Sequence, residues 1–467
     1  MLRLTLLYLF VCGLAVVAVR RWFLALCGLV FLTVLTQHPN MPREIAGIQG
    51  LNPWNASFLA IFSMWILTRH NDPPRAQTPP RVALIVLSYA SVLTLTGLTA
   101  VMDSDSMHAD GRAIASARDV FVETIINPMK YLMVGIMFYD GATTRLRVKQ
   151  AVFTAVGSGA AYAALMYKSL KTGVFTMDYS AARRATDKLV GLYANDMGEV
   201  LAFTLWAGLI AVLLIQRHWL KFGWLLANAA VVPCFAVLKS RAGFLAFCAT
   251  GLVLGVLKWR RILLALPIVL LSVVVFAPNV VDRVMTGVAS DGIADSDWDA
   301  ISAGRTTYLW PAALNQFVDS PIFGRGRFTI LRTGMYDAIY DVAGGVPTHP
   351  HNSYLEMLID AGVIGLAICL ISMAGLARSG LALMRQRYDP LMTAVGAIGL
   401  IGVVTELSAG VAGSSFYPGQ SAVPYLCIWG VLLRAVVEKS AQAAGRRRAC
   451  LIPTSTEMHS SPAMSNG

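Results

Sequence analysis

The stretch THPHNSYLEMLIDAGVIGLAICLISMAGLA, residues 348–377, decides the fold class. Residues 353–377 form an almost unbroken apolar run, which is long enough for a helix to cross the ~30 Å hydrocarbon core of a bilayer. Two histidines, a proline and an asparagine stand directly before this run. The stretch therefore predicts a membrane-spanning helix that carries a polar, chemically capable segment at one end.

Apolar runs of comparable length recur along the rest of the chain, which is 56% hydrophobic and 14% charged. A soluble domain carries about a quarter charged residues, so this depletion is typical of helices surrounded by lipid. The sequence predicts an all-α polytopic membrane protein with about 12 transmembrane helices, or 13 if the first two runs both cross as a helical hairpin around Arg20-Arg21. The predicted runs are 4–19, 22–36, 54–68, 82–101, 119–139, 148–167, 190–215, 218–237, 240–257, 261–280, 353–377, 391–412 and 419–437.

Basic residues in the short connections give the orientation. The connections near 69–81, 145–149, 217–221, 258–261 and 378–387 are rich in Lys and Arg, and they fall on one side if successive runs cross the membrane. This side is the cytoplasm, because short cytoplasmic loops carry an excess of Lys and Arg. Much of the net charge of +12 is therefore topological, and the sequence gives no indication of nucleic-acid binding.

Four segments follow from this topology. Residues 1–280 carry the N-terminal transmembrane helices, 281–352 form a large outer loop, 353–437 carry the C-terminal transmembrane helices, and 438–467 are expected to form a disordered cytoplasmic tail. Within the outer loop, Thr307 to Phe317 is predicted to form an amphipathic helix. Long loops of this kind usually carry function.

The outer loop ends in two closely spaced histidines, His349 and His351, at a predicted membrane–water boundary. An imidazole titrates near neutral pH and can take a proton from a hydroxyl group. Pro350 restricts the backbone between the rings, Asn352 can cap the following helix, and Glu356 can orient a ring or support the helix start. The alternative is a pair of interfacial histidines with structural hydrogen bonds. A metal site is not predicted.

Several arginines fall on or near the outer side, where short loops are expected to hold few basic residues. Guanidinium groups bind phosphate bidentately and neutralise a departing pyrophosphate. Arg241 follows Ser240 at the start of an apolar run, at headgroup level. The alternative is ordinary snorkelling toward lipid headgroups. Phosphate binding is preferred for Arg241 and left open for Arg183, Arg184 and Arg305, whereas snorkelling is preferred for Arg325, Arg327 and Arg332.

Ionisable and amide residues also interrupt the apolar runs. Such residues usually face a cavity or pair with each other. Lining of a substrate cavity and a structural ion pair both remain open for this group, which comprises Lys130, Asn195, Asp196, Glu199 and Glu406.

Four motifs together resemble a known family. His351-Asn352 is followed after nine residues by Gly362 and after two more by Gly365. This spacing is similar to the motif of bacterial O-antigen ligases, within a wider superfamily of O-antigen ligases, O-antigen polymerases and protein O-oligosaccharyltransferases. The other similar motifs are Ser240-Arg241, Gly304-Arg305 to Trp310, and Pro321 to Gly326.

The resemblance implies a reaction, an architecture and a location. A glycan on undecaprenyl pyrophosphate would be transferred en bloc, with inversion, to a sugar hydroxyl of lipid A–core in lipopolysaccharide biosynthesis. The enzyme would need no metal and no cofactor. It would have the GT-C-like glycosyltransferase architecture, lie among the lipids of the bacterial inner membrane and hold its active site toward the periplasm.

The resemblance also implies roles for individual residues. His351 would be the general base, and His349 would orient the acceptor or His351. The pyrophosphate would be bound by Arg241, Arg183, Arg184 and Arg305. The cavity would be lined or supported by Asn352, Ser240, Asn195, Asp196 and Glu356.

Three other functions stay open. An O-antigen polymerase or a protein O-oligosaccharyltransferase uses the same donor with another acceptor, so the residues alone do not separate them from a ligase. A transporter or flippase is less favoured, because transporters commonly show two related halves and place their polar sites near the midplane. A membrane scaffold without catalysis would tolerate His351→Ala.

Overall fold

The computed structural model describes residues 2–45, 47–72, 76–109, 112–113, 115–170, 190–264, 309–335, 349–386 and 388–451, together with 267 and 271. The predicted span 261–280, the segment 168–189 and the outer loop 281–352 therefore lie largely outside the described residues.

The described chain is built from α-helices joined by short connections. The helices are α1 (Leu2–Thr33), α2 (Pro53–Thr68), α3 (Pro80–Met102), α4 (Ala117–Phe121), α5 (Asn127–Gly141), α6 (Arg145–Leu170), α7 (Ala194–Ala211), α8 (His218–Ala229), α9 (Val231–Val237), α10 (Arg241–Leu257), α11 (Trp310–Asp319), α12 (Thr329–Arg332), α13 (Ser353–Met384), α14 (Pro390–Ala409) and α15 (Val423–Leu451). A π-helical turn joins α4 to α5. Two short antiparallel hairpins pair β1 (Glu44–Ile45) with β2 (Ile48–Gln49), and β3 (His108–Ala109) with β4 (Arg112–Ala113).

Eight segments in the described part of the chain are long and apolar enough to cross a bilayer. This confirms the prediction of an all-α polytopic membrane protein, while the larger number of crossings stays a prediction. The segments are Arg3–Thr33, Pro80–Met102, Ala117–Gly141, Ala194–Leu214, His218–Val237, Ser353–Met384, Pro390–Ala409 and Gln420–Ala444.

The predicted N-terminal hairpin is confirmed. The helical stretch α1 is interrupted at Arg21, whose backbone is not helical (φ −144°, ψ 60°), so it consists of two helical halves. The halves pack against each other, because a Cβ on Gly28 would overlap the side chain of Leu14, whereas a continuous helix would separate these two residues by about 21 Å.

The boundary of the C-terminal tail is also corrected. Helix α15 continues to Leu451, so residues 438–451 are helical instead of disordered. This stretch is rich in Ala and Arg, which have high helix propensity and extend a helix beyond its buried part. Residues 452–467 lie outside the described residues.

Helix α13 is the element that positions the histidine segment. Its N-cap is Asn352, whose side chain accepts hydrogen bonds from the backbone of Tyr354 (3.0 Å) and Leu355 (3.1 Å), as predicted. The helix packs against α3, α11 and α14. It is interrupted at Gly362, whose backbone is not helical (φ 66°, ψ −169°).

The predicted amphipathic helix of the outer loop is confirmed as α11, shifted slightly toward the C-terminus with Pro311 in its first turn. A small apolar core joins α11 to the N-terminal end of α13 through Leu309, Ala313, Leu355 and Ile359. The described part of the loop is thereby fixed against the helix that follows the histidines.

Candidate active site

The two histidines form a tight local turn. His351 has a left-handed backbone conformation (φ 50°), which is uncommon for a residue with a side chain. Its N–H donates a hydrogen bond to Nδ1 of His349 at 3.3 Å, and the ring centroids lie 4.1 Å apart, edge to face. The indole N–H of Trp310 donates to the carbonyl of Pro350 at 3.0 Å, so α11 holds the middle of the turn.

This turn gives the two rings different proton-accepting abilities. Nδ1 of His349 accepts a hydrogen bond and therefore carries no proton. In a neutral imidazole the proton then sits on Nε2, which makes that nitrogen a donor. His349 is accordingly arranged as a hydrogen-bond donor at Nε2.

A buried ion-pair network lies directly beneath the turn. The guanidinium of Arg327 donates to Glu356 and, at 3.1 Å, to Asp360. Glu356 also accepts a hydrogen bond from the hydroxyl of Ser414. Asp360 accepts one from the hydroxyl of Thr329 at 2.8 Å. The network therefore ties the loop 325–332 and the α14–α15 connection to the first two turns of α13.

The network is almost inaccessible to solvent. The side chains of Arg327, Glu356 and Asp360 are 16%, 4% and 2% exposed. Burial by itself lowers the pKa of Arg327, but the two carboxylates outweigh it and hold this pKa above its usual range. The guanidinium also lies 3.7 Å from the ring centroid of Tyr417. The pKa of the Tyr417 hydroxyl is raised well above its ordinary value, mainly by burial and next by the charge of Asp360.

Helix α13 is broken at Gly362 because a loop enters the break. The N–H of Val363 donates to the carbonyl of Pro321 at 2.9 Å, and the N–H of Gly326 donates to the carbonyl of Asp360 at 2.7 Å. A Cβ on Gly362 would overlap the carbonyl of Ile322. Only glycine combines this backbone conformation with such a close approach.

The α14–α15 connection holds the start of α13 from the other side. The N–H of Ser353 donates to the carbonyl of Gly410 at 2.7 Å, and its hydroxyl donates to the carbonyl of Gly413 at 3.1 Å. The hydroxyl of Tyr354 donates to the carbonyl of Leu407 at 2.7 Å. The histidine turn is thus attached to structure on both sides.

The start of α10 has the predicted form. The hydroxyl of Ser240 accepts a hydrogen bond from the N–H of Gly243 (3.1 Å) and donates to Oδ1 of Asn195 on α7 (3.0 Å). A Cβ on Gly243 would lie 2.9 Å from the Cα of Gly198, so α7 and α10 cross at backbone contact. Arg241 is partly buried at this helix start.

A polar cavity of about 110 Å³ lies between the ends of α7, α14 and α15. Asp196, Glu199 and Glu406 line it together with Ser414 and Tyr417, which also contact the ion-pair network. The sequence left open whether the polar residues of the apolar runs line a cavity or form a structural ion pair. The structure places these three carboxylates around a cavity. Asn195 is bonded to Ser240 beside it.

Lys130 has a different environment. Its amine donates to Oδ1 of Asn55 at 3.1 Å and lies 5.1 Å from the ring centroids of Trp54 and Tyr131. These contacts join α5 to α2 and give Lys130 a structural role.

Comparison with known proteins agrees with this part of the chain. Residues 226–370 match the family model described as O-antigen ligase. The resemblance drawn from the motifs is confirmed by this match.

Among curated proteins, the chain is similar to ones that carry the provisional name polysaccharide ligase. It is 23% identical over 211 residues to one from Rickettsia conorii, covering 42% of this chain and 50% of that protein. It is 23% identical over 192 residues to one from Rickettsia prowazekii, covering 39% of this chain and 46% of that protein. The chain spans about half the length of the curated relatives it matches.

The roles that the sequence predicted for the arginines have different outcomes. Arg183, Arg184 and Arg305 lie outside the described residues, so their roles stay predictions. Arg325 pairs with Asp319 at 2.6 Å, and Arg332 pairs with Asp103 at 2.8 Å. The snorkelling expected for Arg325, Arg327 and Arg332 is wrong, because each forms an ion pair with a protein carboxylate.

The ion-pair network itself was not predicted from the sequence. Asp360 stands four residues after Glu356, and this spacing places both carboxylates on one face of α13, which was an available signal. Their partner Arg327 is distant in sequence, and a single sequence gives no means of pairing it with them. Ser414 and Tyr417 carried no signal.

Proposed function

We propose that the protein is an O-antigen ligase of the bacterial inner membrane. It transfers a glycan from undecaprenyl pyrophosphate to a sugar hydroxyl of lipid A–core, on the periplasmic side and with inversion. The observation that carries this proposal is the His349–His351 turn, fixed above the buried Arg327–Glu356–Asp360 network, inside the segment that matches the O-antigen ligase family.

His351 is proposed as the general base. A sugar hydroxyl is a weak nucleophile at neutral pH, and a positioned base typically contributes about 10²–10⁴-fold to the rate. His351 takes the proton of the acceptor hydroxyl as the oxygen bonds to the anomeric carbon. The bond from that carbon to the phosphate oxygen breaks on the opposite face, and the electron pair leaves with the lipid pyrophosphate. His349, with its proton on Nε2, holds a substrate oxygen beside His351.

The leaving group needs positive charge at the membrane surface. Undecaprenol is a long apolar chain, so its pyrophosphate reacts where the hydrocarbon region meets water. Arg241 at the start of α10 suits this depth, and Arg183, Arg184 and Arg305 are proposed to join it. Developing charge on the departing phosphate is stabilised by such preorganised cations. Arg327 is not assigned to this group, because its guanidinium is bound by two carboxylates.

The mechanism requires no metal and no nucleotide. Departure of pyrophosphate supplies the driving force, and the proton goes to a histidine. The GT-C-like architecture proposed for the chain suits a donor that stays in the membrane.

The proposal is tested with purified protein in nanodiscs. Wild type and His351→Ala are given undecaprenyl-pyrophosphate-linked glycan and lipid A–core, with EDTA and without nucleotide, and the product is followed on gels. We expect product from wild type alone. Folded wild type without product would refute the ligase proposal, and a ladder of lengthened lipid-linked glycan or glycosylated protein would assign the same chemistry to another acceptor. Equal product from both proteins would refute the role of His351.

A further inference from the structure

The cavity between α7, α14 and α15 is not used by the mechanism above. It holds about 110 Å³, enough for a small polar group of a substrate, and it is lined by Asp196, Glu199 and Glu406. Hydroxyl and amide side chains complete the lining, from Gln37, Ser414, Ser415, Tyr417, Gln420 and Ser421. Its lining is therefore dominated by hydrogen-bond acceptors with a few hydroxyl groups.

Gln420 gives an independent sign that this cavity receives a ligand. The side chain is only 3% exposed, and its amide nitrogen donates to the carbonyl of Thr33 (2.6 Å) and to the hydroxyl of Tyr162 (3.1 Å). Because a backbone carbonyl only accepts, the nitrogen must face Thr33 and the orientation of the amide is fixed. Its carbonyl oxygen Oε1 has no hydrogen-bond partner among the described residues.

Glu199, which also lines the cavity, shows the same pattern. It is 3% exposed, and its Oε1 also has no hydrogen-bond partner within the part of the chain that the structure describes. Buried acceptors that stay unpaired are costly, so a group that donates hydrogen bonds is expected beside them. A ligand rich in hydroxyl groups meets this need.

The cavity is connected to the histidine turn by shared residues. Ser414 lines the cavity and donates to Glu356, directly beneath His349. Tyr417 lines the cavity and stacks on Arg327. A group seated in the cavity therefore lies one residue away from the network that supports the proposed base.

From this geometry we infer that the cavity binds the neutral sugar of the acceptor that presents the reacting hydroxyl. The carboxyl groups and Gln420 accept hydrogen bonds from its other hydroxyl groups. The inference rests on the proposed function, since it names the acceptor subsite of the same reaction.

A cavity-filling variant tests the inference. Gly419 lines the cavity with extended backbone (φ −108°, ψ −172°), which any residue can adopt, and an added Cβ would meet nothing closer than Ser421 Oγ at 3.9 Å. Gly419→Phe therefore places a ring in the cavity without backbone strain. The matched control is Gly223→Phe on α8, where an added Cβ meets nothing within 4 Å. A milder variant, Glu199→Gln, keeps the shape and replaces one acceptor oxygen by a donor.

The kinetic readout separates the two substrates. We expect Gly419→Phe to raise the KM for lipid A–core at least about tenfold and Glu199→Gln about threefold or more, with the KM for the lipid-linked donor unchanged. Gly223→Phe is expected to match wild type. A raised KM for the donor alone, or unchanged constants in both cavity variants, would overturn the inference.

A binding readout keeps the inference separate from the proposed function. Delipidated core oligosaccharide is added to each protein in nanodiscs, and saturation transfer to its sugar protons is measured by NMR. Transfer from wild type and Gly223→Phe that is lost in Gly419→Phe supports the cavity as a sugar site, even if no glycan transfer is found. No transfer from wild type above empty nanodiscs, or equal transfer from both phenylalanine variants, would overturn it.

Discussion

Replacing Arg327 by Met should destabilise the protein severely. The substitution keeps a long side chain but removes the cation, which leaves Glu356 and Asp360 buried at 4% and 2% exposure without their counter-ion. At the 3.1 Å separation from Asp360, and with an effective dielectric constant of about 20, each pair contributes about 5 kcal/mol of direct attraction. Because desolvation offsets part of this attraction, the expected net loss is about 3–5 kcal/mol, as for other buried pairs that lose one partner.

The assay is SDS titration in mixed micelles, with near-UV circular dichroism as the folding signal. The control is Arg325→Met, which breaks a pair of 34% and 57% exposed side chains and should cost at most about 1 kcal/mol. A second variant combines Arg327→Met with Glu356→Gln and Asp360→Asn. It should recover much of the loss, since it leaves no unpaired buried charge. Equal unfolding midpoints for Arg327→Met and Arg325→Met would refute the buried-network reasoning.

Three further predictions follow from single residues. His351→Ala should lower the glycan-transfer rate by about 10²–10⁴-fold while its SDS unfolding midpoint stays near that of wild type. His349→Ala should lower the transfer rate less. Comparable rates for both variants and wild type would contradict the general-base assignment. Gly362→Ala should lower the free energy of unfolding by more than about 2 kcal/mol in the same titration, because it combines an unfavourable backbone conformation with overlap on the 321–326 loop. The control Gly375→Ala should be nearly neutral, because its Cβ would meet Ile85 at an ordinary 3.6 Å. Asp389, whose pKa is lowered by its hydrogen bonds with Arg145, contributes stability above the unfolded pKa of about 3.9, and this contribution is lost as the pH falls through the lower folded pKa. Asp389→Asn should therefore lower the thermal midpoint at pH 7, and the difference from wild type should shrink toward pH 3. A difference that grows on acidification would show the sign to be wrong.

The sequence predicted the parts of the molecule that depend on local pattern. Runs of apolar residues gave the candidate spans, and the capping role of Asn352 followed from its position before α13. Ser240 was placed correctly at the start of α10 for the same reason. Each of these features depends on residues within one turn of each other or on a continuous run, so a single sequence contains the necessary information.

Features that depend on contacts between distant segments were missed or wrong. Arg325, Arg327 and Arg332 were expected at headgroups, because their carboxylate partners lie on other elements of the chain. The N-terminal hairpin, in contrast, was predicted correctly from the charged pair Arg20-Arg21 that separates the two apolar runs.

The spacing of the His351-Asn352…Gly362 motif acquires a physical meaning from the break in α13. Asn352 begins the helix and Gly362 interrupts it, so the motif defines a short helical segment whose two ends are both held. Between them, Glu356 and Asp360 face Arg327 from the loop that enters the break at Gly362. A side chain at Gly362 would displace this loop and carry Arg327 away from Glu356, which lies beneath His349. Gly362 is distant from the proposed base in sequence, but through this loop it helps to position the histidine turn.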